Sequence, residues 1–508
     1  MASPRRALRA PTRYHSRIFA PGDDAGRCGL GRQFGHDTLT SEGDMTGSTV
    51  CRVLVPSGVL GSGCPAQAFE RGLSLAPHVI AVDAGSTDSG PHYLGAGVSK
   101  MTRKAVKRDL RQLMIGRARL GIPLLIGSCG TSGTNMGVDW TAEICEEIAA
   151  EEGQTVKVAL IYSEQSGTRL ADLLASGAVT PLPPAPPLTK ERLAECDHIV
   201  ALMGYAPFAA ALSEGGDIVL AGRTTDTAVL AAVPLMRGFP AGPSWHAGKI
   251  AECGGLCTTS TRRGGVMLFI DEEGFDVEPL HIDNSCTPYS VSAHMLYENA
   301  DPYLLKEPGI LLDTAQATYV AATDRRVRVT GTRCRTMPYT MKLEGSGRVG
   351  FRTMVFSAIA DPKVLEQLGG WMTGLRERLV AGIASVLGYE ADDYDLQFRP
   401  YGWNALAPPC ASETAPVPHE VGLMTLVTAA DQERATEIAK FCNPMLLHFP
   451  LNPEDPMPSF AFAFSPAEVE LGPLYEFKLN HVVAVDDPLA LTRTVHFTTG
   501  QGKRRAVA

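Results

Sequence analysis

Residues 78–93 read HVIAVDAGSTDSGPHY. An apolar run of strand length closes on Asp83, and ten small, hydroxyl-bearing or turn-forming residues follow, ending in His92 and Tyr93. The same pattern recurs along the chain. RVLVP (52–56) leads into SGVLGSG (57–63), IPLLIGS (122–128) opens SCGTSGTN (128–135), and DIVLAG (217–222) runs into GRTTD (222–226). VKVALIY (156–162) and HIVALMG (198–204) complete six runs, and stretches 102–120, 135–152, 166–175 and 224–236 repeat apolar residues at helical spacing. Strands that are apolar on both faces and alternate with helices belong to a parallel sheet covered on both sides. The expected class is α/β, a doubly wound, mostly parallel sheet.

The C-terminal half changes character. GRVGFRTMVFSAIA (347–360) reads as a strand, 362–387 as helix, YDLQFRPYGW (394–403) and EVGLMTLVTAA (420–430) as strands, 432–441 as helix, and 459–463 as a last strand. That order predicts a ferredoxin-like α+β unit. PLPPAPPL (181–188) is read as a stiff surface crossover and PPCASETAPVPHE (408–420) as an exposed loop. The expected organisation is an extension over 1–44, the doubly wound domain with its ligand crevice over 45–335, and the ferredoxin-like domain over 336–508.

Composition narrows the class of partner. The 508 residues are 44% hydrophobic and 20% charged with net charge −9. Such a chain can bury a core, and its acidic balance argues against nucleic acid as partner. Apolar runs are too short for a membrane span, and the 12 Cys follow neither a disulfide framework nor a zinc ribbon. Cys253 and Cys257 come nearest to a metal pair but lack a second half, so no metal is expected. A cytoplasmic location with reduced thiols follows. Residues 1–44 carry Arg5, Arg6, Arg9, Arg13 and Arg17 with no acid before Asp23, which reads as a disordered or mis-assigned extension, with a transit peptide as the alternative.

In a parallel sheet, ligands bind beyond the carboxyl ends of the strands. The four loops would converge there. Asp83 or Asp88 would serve as general base, His92 or Tyr93 as proton donor, and the amides after Ser128 as an oxyanion site. Arg223 would either bridge to Asp226 or clamp a substrate carboxylate. Ser57, Gly58, Ser86, Thr87, Gly130, Thr131, Ser132 and, from the segment at 281–303, Asn284 would line the ligand. Cys129 reads as a loop filler, with a nucleophile as the alternative. The basic run 103–119 reads as a solvated face or as a dock for a coenzyme A nucleotide.

The motifs DAGSTDSGPHYLG, GSCGTSG, VLAGRTTDTA, GKIAECGGL and DNSCTPYSVSAHMLYENADPYLLKEPG resemble the acyclic terpene utilisation (AtuA-like) family over roughly residues 50–490. The resemblance implies a protein of acyl-CoA and branched-acid catabolism, often beside a small ferredoxin-fold companion. Combined with the loops, it suggests a hydro-lyase or isomerase acting on a short unsaturated or hydroxylated carboxylic acid or its coenzyme A thioester. No further cofactor is required, and a homo-oligomer is expected. The alternatives are a non-catalytic ligand-binding subunit for a partner enzyme, and an NAD-dependent oxidoreductase. Against the latter, Gly58, Gly61 and Gly63 give G-x-x-G-x-G, the wrong order for a pyrophosphate turn. If residues 1–44 add nothing to the fold, a chain beginning at Met45 will melt with the full-length protein, as differential scanning fluorimetry would show; a drop of several degrees would overturn this.

Overall fold

In the strands VIAVD, LLIG and IVLA every residue is buried. Alternate side chains enter different cores. Leu54, Ile80, Val82, Leu124 and Ile126 pack with Phe69, Leu110, Met114 and Val138, whereas Val53, Val79, Ala81, Leu125 and Val219 pack with Val229, Ala232 and Ile250. Helices therefore cover the sheet on both sides. Ala66–Ser74, Arg103–Leu120 and Asn135–Glu151 lie on one face, and Asp226–Met236 and Ala241–Ala251 on the other.

The computed structural model describes residues 49–297, 299, 301–406 and 417–500. The expected extension over 1–44 and most of the loop at 408–420 lie outside the described residues. The strands are β1 (Cys51–Val55), β2 (Val79–Asp83), β3 (Leu124–Gly127), β4 (Lys157–Tyr162), β5 (Val179–Pro181), β6 (His198–Ala201) and β7 (Ile218–Ala221). A run of antiparallel strands follows: β8 (Val266–Ile270), β9 (Gly274–Pro279), β10 (Leu304–Glu307), β11 (Ile310–Asp313), β12 (Thr318–Ala321), β13 (Val327–Thr330) and β14 (Arg333–Thr336). The last group is β15 (Thr340–Ile359), β16 (Tyr394–Tyr401), β17 (Val421–Ala429), β18 (Ala461–Phe462), β19 (Glu468–Ala484) and β20 (Arg493–Thr498).

The protein is a mixed α/β structure with two large sheets. The ten-stranded sheet has the order β12-β13-β9-β8-β1-β2-β3-β7-β4-β20. Its centre, β1-β2-β3-β7-β4, is parallel, and both flanks are antiparallel. The second sheet, β16-β17-β15-β19-β5, is antiparallel, and β6 and β18 also pair with β15. β6 therefore leaves the sheet expected for it: a short, wholly apolar run fits the interior of either sheet, and period alone cannot choose between them. β5 ends on Pro181 at the edge of β19, where a missing N–H costs no ladder bond. The chain crosses between the two large sheets four times, from β4 to β5, from β6 back to β7, from β13 on to β15, and from β19 back to β20. Among the described residues no helix is long and apolar enough to cross a membrane.

Helix Arg103–Leu120 shows which forces hold the layers. Its basic face is ion-paired: Arg103 and Lys107 meet Glu147, Lys107 and Arg111 meet Glu151, Arg119 meets Glu70, Arg117 meets Asp217 and Arg108 meets Asp109. Six of the seven cations expected to be solvated or to dock a nucleotide are thus met by the protein's own acids. Exposed pairs contribute about 0–1 kcal/mol each. Burying Val106, Leu110, Leu113 and Met114 contributes about 1.5–3 kcal/mol per side chain, so the apolar face dominates. Leu110→Ala is accordingly expected to cost about 2–5 kcal/mol and Glu147→Gln at most about 1 kcal/mol, compared by guanidinium melts. Equal losses would place the anchorage in the charged face.

Candidate functional site

The parallel core brings the four loops to one edge, and backbone bonds stack them. Leu60 N–H donates to Asp83 O (2.8 Å), Ala84 N–H to Gly127 O (2.9 Å), and Ser128 N–H to Gly222 O (3.0 Å). The β3 loop is tightly wound, with φ of 45° at Ser128, 70° at Gly130, 81° at Thr131 and 67° at Gly133. A Cβ on Gly133 would lie 2.1 Å from the Arg223 amide nitrogen, so the approach of the two loops requires glycine. Thr131, β-branched and left-handed, is held by the Lys100 N–H, which donates to its Oγ1 (2.9 Å).

Arg223, 5% exposed, lies at the convergence of these loops. Its Nε donates to Glu344 Oε2 of β15 (3.1 Å). Nη1 donates to Ser128 Oγ (3.2 Å), Thr224 O (3.3 Å), Gly85 O (3.4 Å) and Asp226 Oδ1 (3.5 Å). Arg223 is thus bridged to Asp226, as one of its two expected roles has it, and to Glu344, its closer carboxylate. Burial pushes the Glu344 carboxyl up, but the charges of Arg223 and Lys342 outweigh that and hold it near about 2. Asp83 goes the other way. Burial, reinforced by Asp226, raises its carboxyl well above the ordinary range against the pull of Arg223, the Gly85 N–H and Ser128. Its Oδ2 accepts from Gly85 N–H (3.0 Å), while Oδ1 lacks a hydrogen bond of ordinary geometry among the described residues.

Other expected residues are placed elsewhere or already engaged. Asp88 is exposed, and its Oδ2 accepts from Ser86 Oγ (2.6 Å) in a local turn, while Thr87 O accepts from Gly90 N–H. His92 is exposed and packs edge-on against Tyr93 and Tyr475, and Ser132 Oγ donates to Tyr93 O (3.3 Å). The Cys129 amide, the first of those expected to face an oxyanion, donates to Ala221 O, and the Ser128 amide before it to Gly222 O. Glu164 takes the Asn135 amide at the start of the next helix (2.7 Å). Cys129 is buried, which pushes its thiol far up and leaves it a filler. Asn284 clamps its own loop: Oδ1 accepts from Thr259 Oγ1 and from the Ser260 and Ser285 amides, and Nδ2 donates to Thr258 Oγ1 and Ser260 O. Gly61 and Gly63 donate their amides to Asp109 Oδ2 (2.9 and 2.8 Å), which occupies donors a pyrophosphate would need. Ser57 and Gly58 line a cavity of about 510 Å³ with Cys253, Leu256 and Arg262.

Three buried acids escaped the sequence reading. Thr225 Oγ1 donates to Glu307 Oε2 (2.6 Å), Thr227 Oγ1 to Glu252 Oε2 (3.0 Å), and Lys249 Nζ to Glu252 Oε1 and to Tyr297 O (3.1 Å). Glu344 is the third. Burial pushes Glu307 up to about 7 and Glu252 to about 8, with the charge of Asp226 adding to each. Lys249, set among mostly small and apolar residues in AGPSWHAGKIA, is the sequence signal that could have pointed to Glu252. Glu252, Cys253 and His294 place their ligand atoms within 4.8 Å of one another, the one such group among the described residues that could hold a metal.

The motifs around Arg223, Glu252 and His294 fall within the span matched by the family of acyclic terpene utilisation protein AtuA, residues 123–269 and 279–452. The chain belongs to this family. No curated protein and no solved structure matches it significantly. Within this AtuA-family chain, Arg223, Glu344, Glu252, His294 and Glu307 lie inside the matched span, whereas the loops carrying Ser57, Asp83 and Asp88 precede it.

The buried acids set a pH dependence. Unfolded, a glutamate loses its proton near 4.5, whereas folded Glu307 keeps it to about 7. The folded state binds more protons across that window, so the Glu307 contribution to stability is lost as pH rises from about 4.5 to about 7. Glu252 acts in the same sense. Glu307→Gln, which cannot ionise, is expected to flatten the fall, read from urea midpoints across the window; an unchanged slope would show that Glu307 does not carry it.

Proposed function

We propose that this chain is an enzyme of organic-acid catabolism, a hydro-lyase or isomerase that moves a proton beside the carbonyl of a short unsaturated or hydroxylated acid or its coenzyme A thioester. One observation carries the reading. Two carboxyl groups, Asp83 and Asp226, flank one buried guanidinium in different environments, the first enclosed and raised well above the ordinary carboxylate range by burial, the second partly exposed and paired with Arg223. Environments that differ in this way assign an acid and a base. Asp226 would take the proton from the carbon beside the carbonyl. In an isomerase the proton returns at a second carbon, and in a hydro-lyase the hydroxyl leaves as water after accepting a proton from the acid. Arg262, exposed on the rim of the 510 Å³ cavity and paired with no carboxylate among the described residues, would meet the substrate anion.

Asp88 and His92 have no part in this scheme, and no nicotinamide enters it. The parallel centre with helices on both faces supports a doubly wound core, and the order of β15, helices Pro362–Glu366 and Leu368–Gly382, β16, β17 and helix Gln432–His448 supports a ferredoxin-like second unit. The test is incorporation of deuterium from D2O into a panel of short 3-hydroxy and 2,3-unsaturated acids and their thioesters, read by mass spectrometry. Asp226→Asn and Asp83→Asn should each slow exchange by about 100-fold or more, with Asp88→Asn retaining it. Loss with Asp88→Asn alone would overturn the assignment, and failure with every substrate would favour a binding subunit.

A further inference from the structure

Beneath the cavity wall formed by Cys253, the polypeptide brings together three different donor atoms. Glu252 and Cys253 close helix Ala241–Ala251, and His294 ends helix Pro288–His294, so one face of the site comes from each element. The ligand atoms lie within 4.8 Å of one another. His294 is 5% exposed and stacks on Tyr297 (5.6 Å), yet its Nε2 has no hydrogen-bond partner among the described residues. A buried ring nitrogen left without a partner is costly, and coordination to a cation removes that cost.

We infer that Glu252, Cys253 and His294 form a binding site for one divalent cation of zinc type. Carboxylate oxygen, thiolate sulfur and imidazole nitrogen are the donors this ion accepts, at about 2.0–2.3 Å, which sets tetrahedral donor separations of roughly 3.3–3.8 Å. Closing 4.8 Å to that range takes a shift of about 1 Å. Thr227 Oγ1, which donates to Glu252 Oε2, is the kind of partner that orients a carboxylate ligand. Lys249 also contacts Glu252, and a second cation beside its ammonium is opposed by repulsion. Two features offset this: Lys249 Nζ has a second acceptor in Tyr297 O, and the charge of Asp226 acts on Glu252 from nearby. On binding, a metal–sulfur bond replaces the S–H bond of Cys253, a metal–oxygen bond replaces the O–H bond that burial favours on Glu252, and both protons leave to water. Three protein donors leave a fourth position. Because Cys253 also lines the cavity, that position faces the space where an oxygen donor of a small acid would sit.

The site can be tested apart from the acid–base reading, since none of its three ligands is a residue of that scheme. Equilibrium dialysis of the full chain, stripped with chelator, against zinc should give one ion per chain, released to a stronger chelator. Cobalt in its place should give a sulfur-to-metal charge-transfer band. Cys253→Ala should remove the band, and His294→Ala should weaken binding beyond the roughly 100-fold that loss of an outer partner costs, while Cys257→Ala changes neither. Cys253→Ser and His294→Gln, checked by circular dichroism, guard against unfolding of the alanine forms. No zinc uptake, or uptake unchanged in both sets of variants, would overturn the inference whatever the outcome of deuterium exchange.

Discussion

One guanidinium, buried with several carboxyl groups in reach, sets the geometry of this molecule. Arg223 reaches the β2 loop through Gly85 O, the β3 loop through Ser128, its own loop through Thr224 O, and β15 of the other sheet through Glu344. Removing one partner from a buried pair typically costs about 3–5 kcal/mol, a large part of the roughly 5–15 kcal/mol that holds a domain folded. The loops at this edge therefore cannot move independently. The same charge depresses Glu344, while Asp83 escapes its pull because burial outweighs it. Beside a single cation, charge decides one carboxyl environment and burial the other.

How much of this could be read beforehand depends on the range of the interaction. The helices Arg103–Leu120, Asn135–Glu151 and Gly167–Ala175 follow from local apolar spacing and lie within a residue or two of their expected bounds. The convergence of the four loops also follows, because neighbouring parallel strands must end on the same side. β8 to β14 escaped notice because short antiparallel strands with mixed faces, such as TYVA and RCRT, resemble loops in one dimension. The 17-residue β19 was missed for a related reason: VELGPLYEFKLN interrupts its alternation with Gly472 and Pro473, and a register shift falls beside Gly472.

Side-chain partners were less readable than backbone. Arg223 meets a glutamate 121 residues later, and the basic face of Arg103–Leu120 is neutralised by acids about 40 residues on, which no local window contains. The DAGSTDSGPHY loop shows the same limit within five residues. Asp83 ends a strand and points into the layer between sheet and loops, whereas Asp88 sits in a turn closed by Ser86 and faces water. Equal residue types at close spacing were divided by the turn between them.

The return of β20 to β4 bears on how the chain is made. Leu160 of β4 finds its partner, Val495, more than 300 residues later. During synthesis on the ribosome, KVALIY therefore waits with one backbone edge unpaired while every strand from β5 to β19 is delivered. An apolar strand with an open edge is a template for any other strand that reaches it. Residues 157–162 are thus where a nascent chain of this protein stays adhesive longest, and where a chaperone has most to shield.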